Sequence, residues 1–146
     1  MGEVAIGASV ACYLASLFLP AVVGASASAP GWQCLVVGWS ALLLLNPIWL
    51  ANPAWLAALI ALGRRRFGVA GWIGLGASTL SLLTILYVWR GLLMIPVVGL
   101  GEWDSMFTSL GPGFYAWSAA MWIPTLAAAF LRRQSKLEAE GGPGRF

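Results

Sequence analysis

The stretch Asn46-Pro47-Ile48-Trp49-Leu50-Ala51-Asn52-Pro53 decides how this chain is read. It lies inside an apolar run from Cys34 to Leu62. That run holds about 29 residues, roughly 43 Å if wholly helical, against roughly 30 Å of hydrocarbon in a bilayer. Each proline lacks a backbone donor and clashes with the preceding turn, so a straight helix through both Asn-Pro pairs is disfavoured. The run therefore reads as a kinked or broken membrane span.

The rest of the composition agrees with lipid as the solvent. Of 146 residues, 60% are hydrophobic and 9% charged, where a soluble domain carries about 25% charged residues. Mean hydropathy is +0.86. The length allows about four spans and no separate soluble domain. The expected fold is an all-α integral membrane four-helix bundle, with spans at about 4–24, 34–62, 69–89 and 114–131. Residues 1–136 form the transmembrane domain and 137–146 a glycine-rich cytoplasmic tail. Pro20 is expected to end the first span. Met1-Gly2-Glu3 carries no basic side chain, so that span is expected to be a retained anchor.

Small residues recur on three spans at helical spacing: Ala8, Cys12, Ser16, Pro20 and Gly24; Ala70, Gly74 and Ser78; Ala116, Ala120, Pro124 and Ala128. Such faces let helix backbones approach closely. Between the third and fourth spans, Trp103, Met106, Phe107 and Leu110 follow i, i+3, i+4, i+7 spacing. This predicts a short amphipathic helix lying in the outer interface.

Charge sets the orientation. Arg64, Arg65, Arg66, Arg132, Arg133, Lys136 and Arg145 fall on one side of the predicted spans, and Arg90 on the other. Positive residues stay inside, so both termini are expected in the cytoplasm and the chain in a bacterial inner membrane. Arg90 is expected to pair with Glu102 or Asp104 in the outer loop. The net charge of +3 comes from these short clusters and gives no sign of nucleic-acid binding.

The chain offers little reactive chemistry. It has no histidine, and Glu3, Glu102, Asp104, Glu138 and Glu140 all lie outside the predicted spans. No imidazole base, intramembrane proton relay or histidine-ligated haem follows from this inventory. Cys12 and Cys34 read as two buried thiols at different depths, without the spacing of a zinc site. No catalytic or metal-ligating residues are assigned. Asn52-Pro53-Ala54 matches the triplet of water channels, but those use two such half-helices within six spans, more than this length allows.

Two features remain as candidate sites. Asn46, Pro47, Asn52 and Pro53 mark a helix break, which must be covered by protein or face water. Trp89, Trp103, Phe107 and Trp117, among nine tryptophans, predict an outer aromatic surface for lipid or a partner helix. A bound lipid, quinone or carotenoid is compatible with such a surface, held without side-chain ligation.

The ordered set Leu19-Pro20, Gly31-x-x-Cys34-Leu35, Gly38-Trp39, Trp49-Leu50-Ala51-Asn52-Pro53, Asp104 and Gly113-Phe114-Tyr115-Ala116-Trp117 resembles a family of small bacterial four-span inner-membrane proteins. The resemblance covers roughly Tyr13 to Arg133. It implies a four-helix membrane fold, carries over no catalytic residue, and comes with no assigned activity. The functional expectation is a non-catalytic accessory subunit of a respiratory or photosynthetic inner-membrane assembly. The alternatives are a small oligomeric transporter or channel using the broken span, and a lipid or quinone binder.

Overall fold

A computed structural model describes residues 1–24, 28–39, 47–89 and 107–140. They form five α-helices and one small sheet: α1 (Gly2–Phe18), β1 (Pro20–Gly24), β2 (Ser28–Pro30), α2 (Gly31–Gly38), α3 (Ala51–Gly63), α4 (Phe67–Trp89), β3 (Phe107–Leu110) and α5 (Pro112–Glu140). A 3-10 turn, Pro47–Leu50, leads directly into α3. Among the described residues, two helices are long and apolar enough to cross a membrane, Phe67–Leu86 and Pro112–Ala139. Gly2–Phe18 and Pro47–Gly63 are shorter apolar helices.

The small sheet corrects an all-helical expectation in two places. The helix expected over residues 4–24 ends at Phe18, because Leu19 precedes Pro20 and adopts an extended conformation, φ −91° and ψ 150°. Pro20 then begins a strand in which β-branched Val22 and Val23 are well suited to pleated geometry. The outer amphipathic helix is overturned over its last part, where Phe107–Leu110 is a strand; residues 101–106 lie outside the described residues. Spacing over so short a segment cannot separate helix from strand. Here β1 supplies the partner, pairing Val22 with Leu110 and Val23 with Ser109. On its other edge β1 pairs Val22 with Ala29 and Val23 with Ser28, giving the order β2-β1-β3. Both inner residues are buried, Val22 at 3% exposure and Ala29 at 0%.

Two helix limits also shift. The second helical unit starts at Gly31, so the short outer loop is partly strand and partly helix. α5 continues through Arg132, Arg133 and Lys136 to Glu140, so residues 137–140 are helical rather than tail. This segment is rich in good helix formers, and no proline or glycine interrupts it before Gly141. Pro124 lies within α5 and is fully buried.

The helices pack in the order α1, α5, α4, α3, with α3 also touching α1 and α5. Small residues make the α4–α5 contact close. Ala70, Ala77, Ser78 and Ser81 on α4, and Ala120 and Ala128 on α5, are all at 0% exposure. A Cβ at Gly74 would lie 2.5 Å from Thr125 Oγ1 and 3.3 Å from Thr125 Cα, so any side chain there would push Thr125 away. On α1 the buried positions are Ser9 and Ser16, while Ala8 is exposed. The contact face is therefore rotated from the predicted small-residue face. The apolar core centres on Trp55, Leu59, Ala51, Ala77 and Met121.

The molecule has two distinct ends. At one, α3 closes with Arg65 N–H donating to Leu62 O at 3.0 Å and Arg66 N–H to Ala61 O at 2.9 Å. This is the Schellman pattern, and Arg65 takes its left-handed position with φ 55°. Arg64, Arg65 and Arg66 are exposed there. Ala70 and Ala128 pack together near this end, so Arg132, one turn beyond Ala128, falls beside the arginine turn. Gly2 lies next to Leu131, which brings the start of α1 to the same end. At the opposite end, α1, α2 and α5 meet the sheet: Gly31 lies against Ser16 O, and Gly113 against Leu19 O.

Candidate functional site

The break region is held by its side chains. Pro47 opens the 3-10 turn, and Pro53 sits in the first turn of α3, where its missing N–H costs no helical hydrogen bond. Asn52, beside it, is the hub. Its Oδ1 accepts from Tyr13 Oη on α1 at 3.1 Å and from Trp117 Nε1 on α5 at 2.9 Å. Its Nδ2 donates to Trp49 O at 3.2 Å. Two donors on one atom and a carbonyl on the other make this the self-consistent amide orientation. Trp49 in turn donates from Nε1 to Leu35 O at 3.1 Å. Leu35 lies in the last turn of α2, whose carbonyls lack intrahelical donors, so the indole satisfies a helix end across the break.

A second layer braces this hub. Tyr13 and Trp55 stack with ring centroids 4.2 Å apart and planes 9° from parallel. Trp55 Nε1 donates to Ser9 Oγ at 2.8 Å, and Ser9 Oγ donates to Ala120 O at 2.7 Å. α3, α1 and α5 are thus joined by a relay in which every buried donor is used.

Between this hub and the sheet lies a cavity of about 120 Å³. α1, β1, α2, the 3-10 turn, α3, α4 and α5 all contribute to its wall. The lining is mostly apolar and aromatic, with Phe114, Trp117 and Trp49 prominent. Among the described residues, the lining side chains that carry oxygen or nitrogen are Tyr13, Ser16, Asn52, Thr84 and the two indoles, and none of the described lining residues is charged. Ser16 Oγ is engaged with Tyr13 O at 2.6 Å. Thr84 is different: it is 6% exposed and its Oγ1 is buried with no hydrogen-bond partner.

The predicted residues divide clearly. Pro47, Asn52 and Trp117 belong to one assembly, although the sequence alone assigns Trp117 to the outer aromatic surface. Trp89 ends α4 and Phe107 opens β3. Asn46, Arg90, Trp103, Glu102 and Asp104 lie outside the described residues, and with them the expected outer ion pair. Among the described residues, Arg64, Arg65, Arg66, Arg132, Arg133 and Lys136 sit at the far end from the cavity. Sequence reasoning missed Ser9, Tyr13 and Thr84. A signal existed for each: Ser9, Tyr13 and Ser16 form an i, i+4, i+7 polar stripe on an apolar helix, and Ser78, Ser81 and Thr84 recur every third residue on another. Among the described residues, no group of three His, Cys, Asp or Glu side chains lies close enough to hold a metal ion. Comparison with known proteins finds no matching family model, no matching curated protein and no matching solved structure.

Proposed function

We propose that this chain is a four-span membrane protein that holds a largely apolar, uncharged molecule of the bilayer in the cavity beneath the sheet, without catalysing a reaction on it. The carrying observation is the cavity wall: among the described residues it is aromatic and aliphatic and uncharged, with a few polar atoms at fixed positions. Small-molecule sites generally combine these features. α1, the broken unit α2 to α3, α4 and α5 are read as the four crossings. The grouping of both the start of α1 and the end of α5 with Arg64, Arg65, Arg66, Arg132, Arg133 and Lys136 supports a cytoplasmic location for both termini in a bacterial inner membrane. The cavity then lies in the outer leaflet half, where lipid, quinone or carotenoid is available.

The direct test is purification from native membranes in mild detergent, followed by solvent extraction and mass spectrometry. A stoichiometric apolar compound is expected with the wild type and not with Ala21→Phe, which places a ring in the cavity. Equal recovery from both proteins would remove the proposed site.

A second reading has its own observation. Gly68 and Gly76 on α4 have no atom near a would-be Cβ, and Trp72 between them is 72% exposed. This open face suits close packing against another integral subunit, in keeping with an accessory role in a respiratory or photosynthetic complex. The two readings are compatible. The transporter reading has less support, because the Asn52 carboxamide oxygen is already filled by two protein donors.

A further inference from the structure

We propose that the arginine end of the bundle binds an anionic phospholipid of the inner leaflet, with Arg66 and Arg132 holding the phosphate. This rests on the membrane location and is independent of the cavity at the other end. The placement of the charges carries it. Ala70 on α4 and Ala128 on α5 are buried in one small-residue cluster, and a Cβ at Gly71 would lie 3.8 Å from Ala128 Cβ. Arg66 precedes Ala70 by four residues, and Ala70 N–H donates to Arg66 O at 2.9 Å, so the helical turn reaches back to Arg66. Arg132 follows Ala128 by four residues on α5. Each arginine therefore stands one turn beyond the contact, on the face its alanine occupies. All six basic side chains at this end, Arg64, Arg65, Arg66, Arg132, Arg133 and Lys136, are exposed, and among the described residues none pairs with a carboxylate. Glu3 and Glu138 are the described acidic side chains at this end, so positive charge prevails. Like charges four apart on one helix, such as Arg132 and Lys136, repel, and an anion seated between the two helices relieves that repulsion.

A topology signal alone does not ask for this arrangement. It depends on how many basic residues flank a span, and not on where their side chains meet. Arg65 moreover takes the left-handed position of the turn, φ 55°, where glycine or asparagine is favoured. The chemistry of the partner follows from what adjoins the charges. Guanidinium groups match phosphate oxygens in a planar fork. Within two turns of them the exposed side chains become apolar: Val69 on α4, and Leu126 and Phe130 on α5. Leu126, Phe130 and Arg133 follow i, i+4, i+7 spacing, so one stripe of α5 passes from apolar to cationic. A soluble anion would leave that apolar stripe uncovered. A phospholipid sets its phosphate on the arginines and its acyl chains along the stripe.

Binding is measured by native mass spectrometry of the full chain in dodecyl maltoside micelles. The probes are dioleoylphosphatidylglycerol and dioleoylphosphatidylcholine, which share acyl chains and differ in net charge. The first is expected to bind wild type about tenfold more tightly, as two arginines beside one phosphate imply. The decisive variant combines Arg66→Gln and Arg132→Gln with Leu137→Arg and Ala139→Arg. It keeps the total charge but moves it roughly 8 to 10 Å further along α5. All four positions are exposed, and an unchanged circular dichroism spectrum verifies the fold. This variant is expected to bind both lipids alike. Glycerophosphoglycerol, the same head group without chains, is expected not to displace the lipid; displacement would make the ligand a soluble phosphodiester and overturn the lipid assignment. Equal affinity of wild type for the two lipids, or a preference kept by the charge-moved variant, overturns the inference and leaves the four-span reading standing. No binding of either lipid also overturns it, and a chain that stays dissolved once detergent is removed would take the four-span reading with it.

Discussion

The α4–α5 contact and the sheet-end cavity, to whose wall both helices contribute, follow opposite rules. Along the contact, small side chains let the backbones close up, and each buried hydroxyl finds a carbonyl or another hydroxyl: Ser78 with Met121 O and Thr125, Ser81 with Ser78 O and Ser118. Toward the sheet, Phe114 and Trp117 on α5 line the cavity together with Thr84 on α4 and the pieces of the second unit. The residues change from small to aromatic within one or two turns, and a cavity replaces the contact. Large flat rings joined by fixed hydrogen bonds hold elements apart as well as together. That is how an apolar chain with few polar atoms keeps a cavity from collapsing.

Four substitutions would break or sharpen this contrast. The largest effect is expected for Asn52→Leu, which strands Tyr13 Oη, Trp117 Nε1 and Trp49 O at once. A loss of about 3 kcal/mol in detergent unfolding followed by circular dichroism is the expected outcome, given the cost of unpaired polar groups. A near-neutral result would mean that these groups find other partners and that the hub does not brace the cavity. Next comes Gly74→Val, which forces Thr125 and the α5 backbone away. Overpacking of this kind is expected to cost about 2 kcal/mol in the same measurement, with the helical signal of the folded state preserved. The smallest and most discriminating comparison is Ser78→Ala against Thr84→Val. Removing the paired Ser78 hydroxyl is expected to cost about 1 kcal/mol. Removing the unpaired Thr84 hydroxyl is expected to leave stability unchanged or raise it by about 1 kcal/mol in ligand-free protein.

Much of the contact was legible in the sequence, and much of the cavity was not. Ala70, Gly74 and Ser78 declare a close-packing face because four-residue spacing is a local property. The Asn-Pro pairs likewise announce a change of helix geometry wherever the partners lie, and the 3-10 turn at Pro47–Leu50 followed by α3 is the form it takes. The strands were illegible for the converse reason. Phe107–Leu110 is extended because β1 lies beside it, and nothing within its own residues names that partner. Asn52 presents the same difficulty: its donors, Tyr13 and Trp117, come from distant helices, so the sequence marks the residue without marking its role. The orphan state of Thr84 belongs to three dimensions alone, since Thr79 on the same helix makes the ordinary backbone bond.

The pairing of β1 with β3 has a consequence for biosynthesis. β1 leaves the ribosome with α1, while β3 and the start of α5 follow only after α4 has been made. Antiparallel strands so far apart in sequence close a long loop, which delays their meeting. The α5 wall of the cavity, with Gly113, Phe114 and Trp117, therefore comes last, and a nascent chain halted after α4 would present an open trough to the surrounding lipid. Occupancy by a guest then depends on completion of the polypeptide, so that any cargo enters a newly finished molecule rather than being trapped during its insertion.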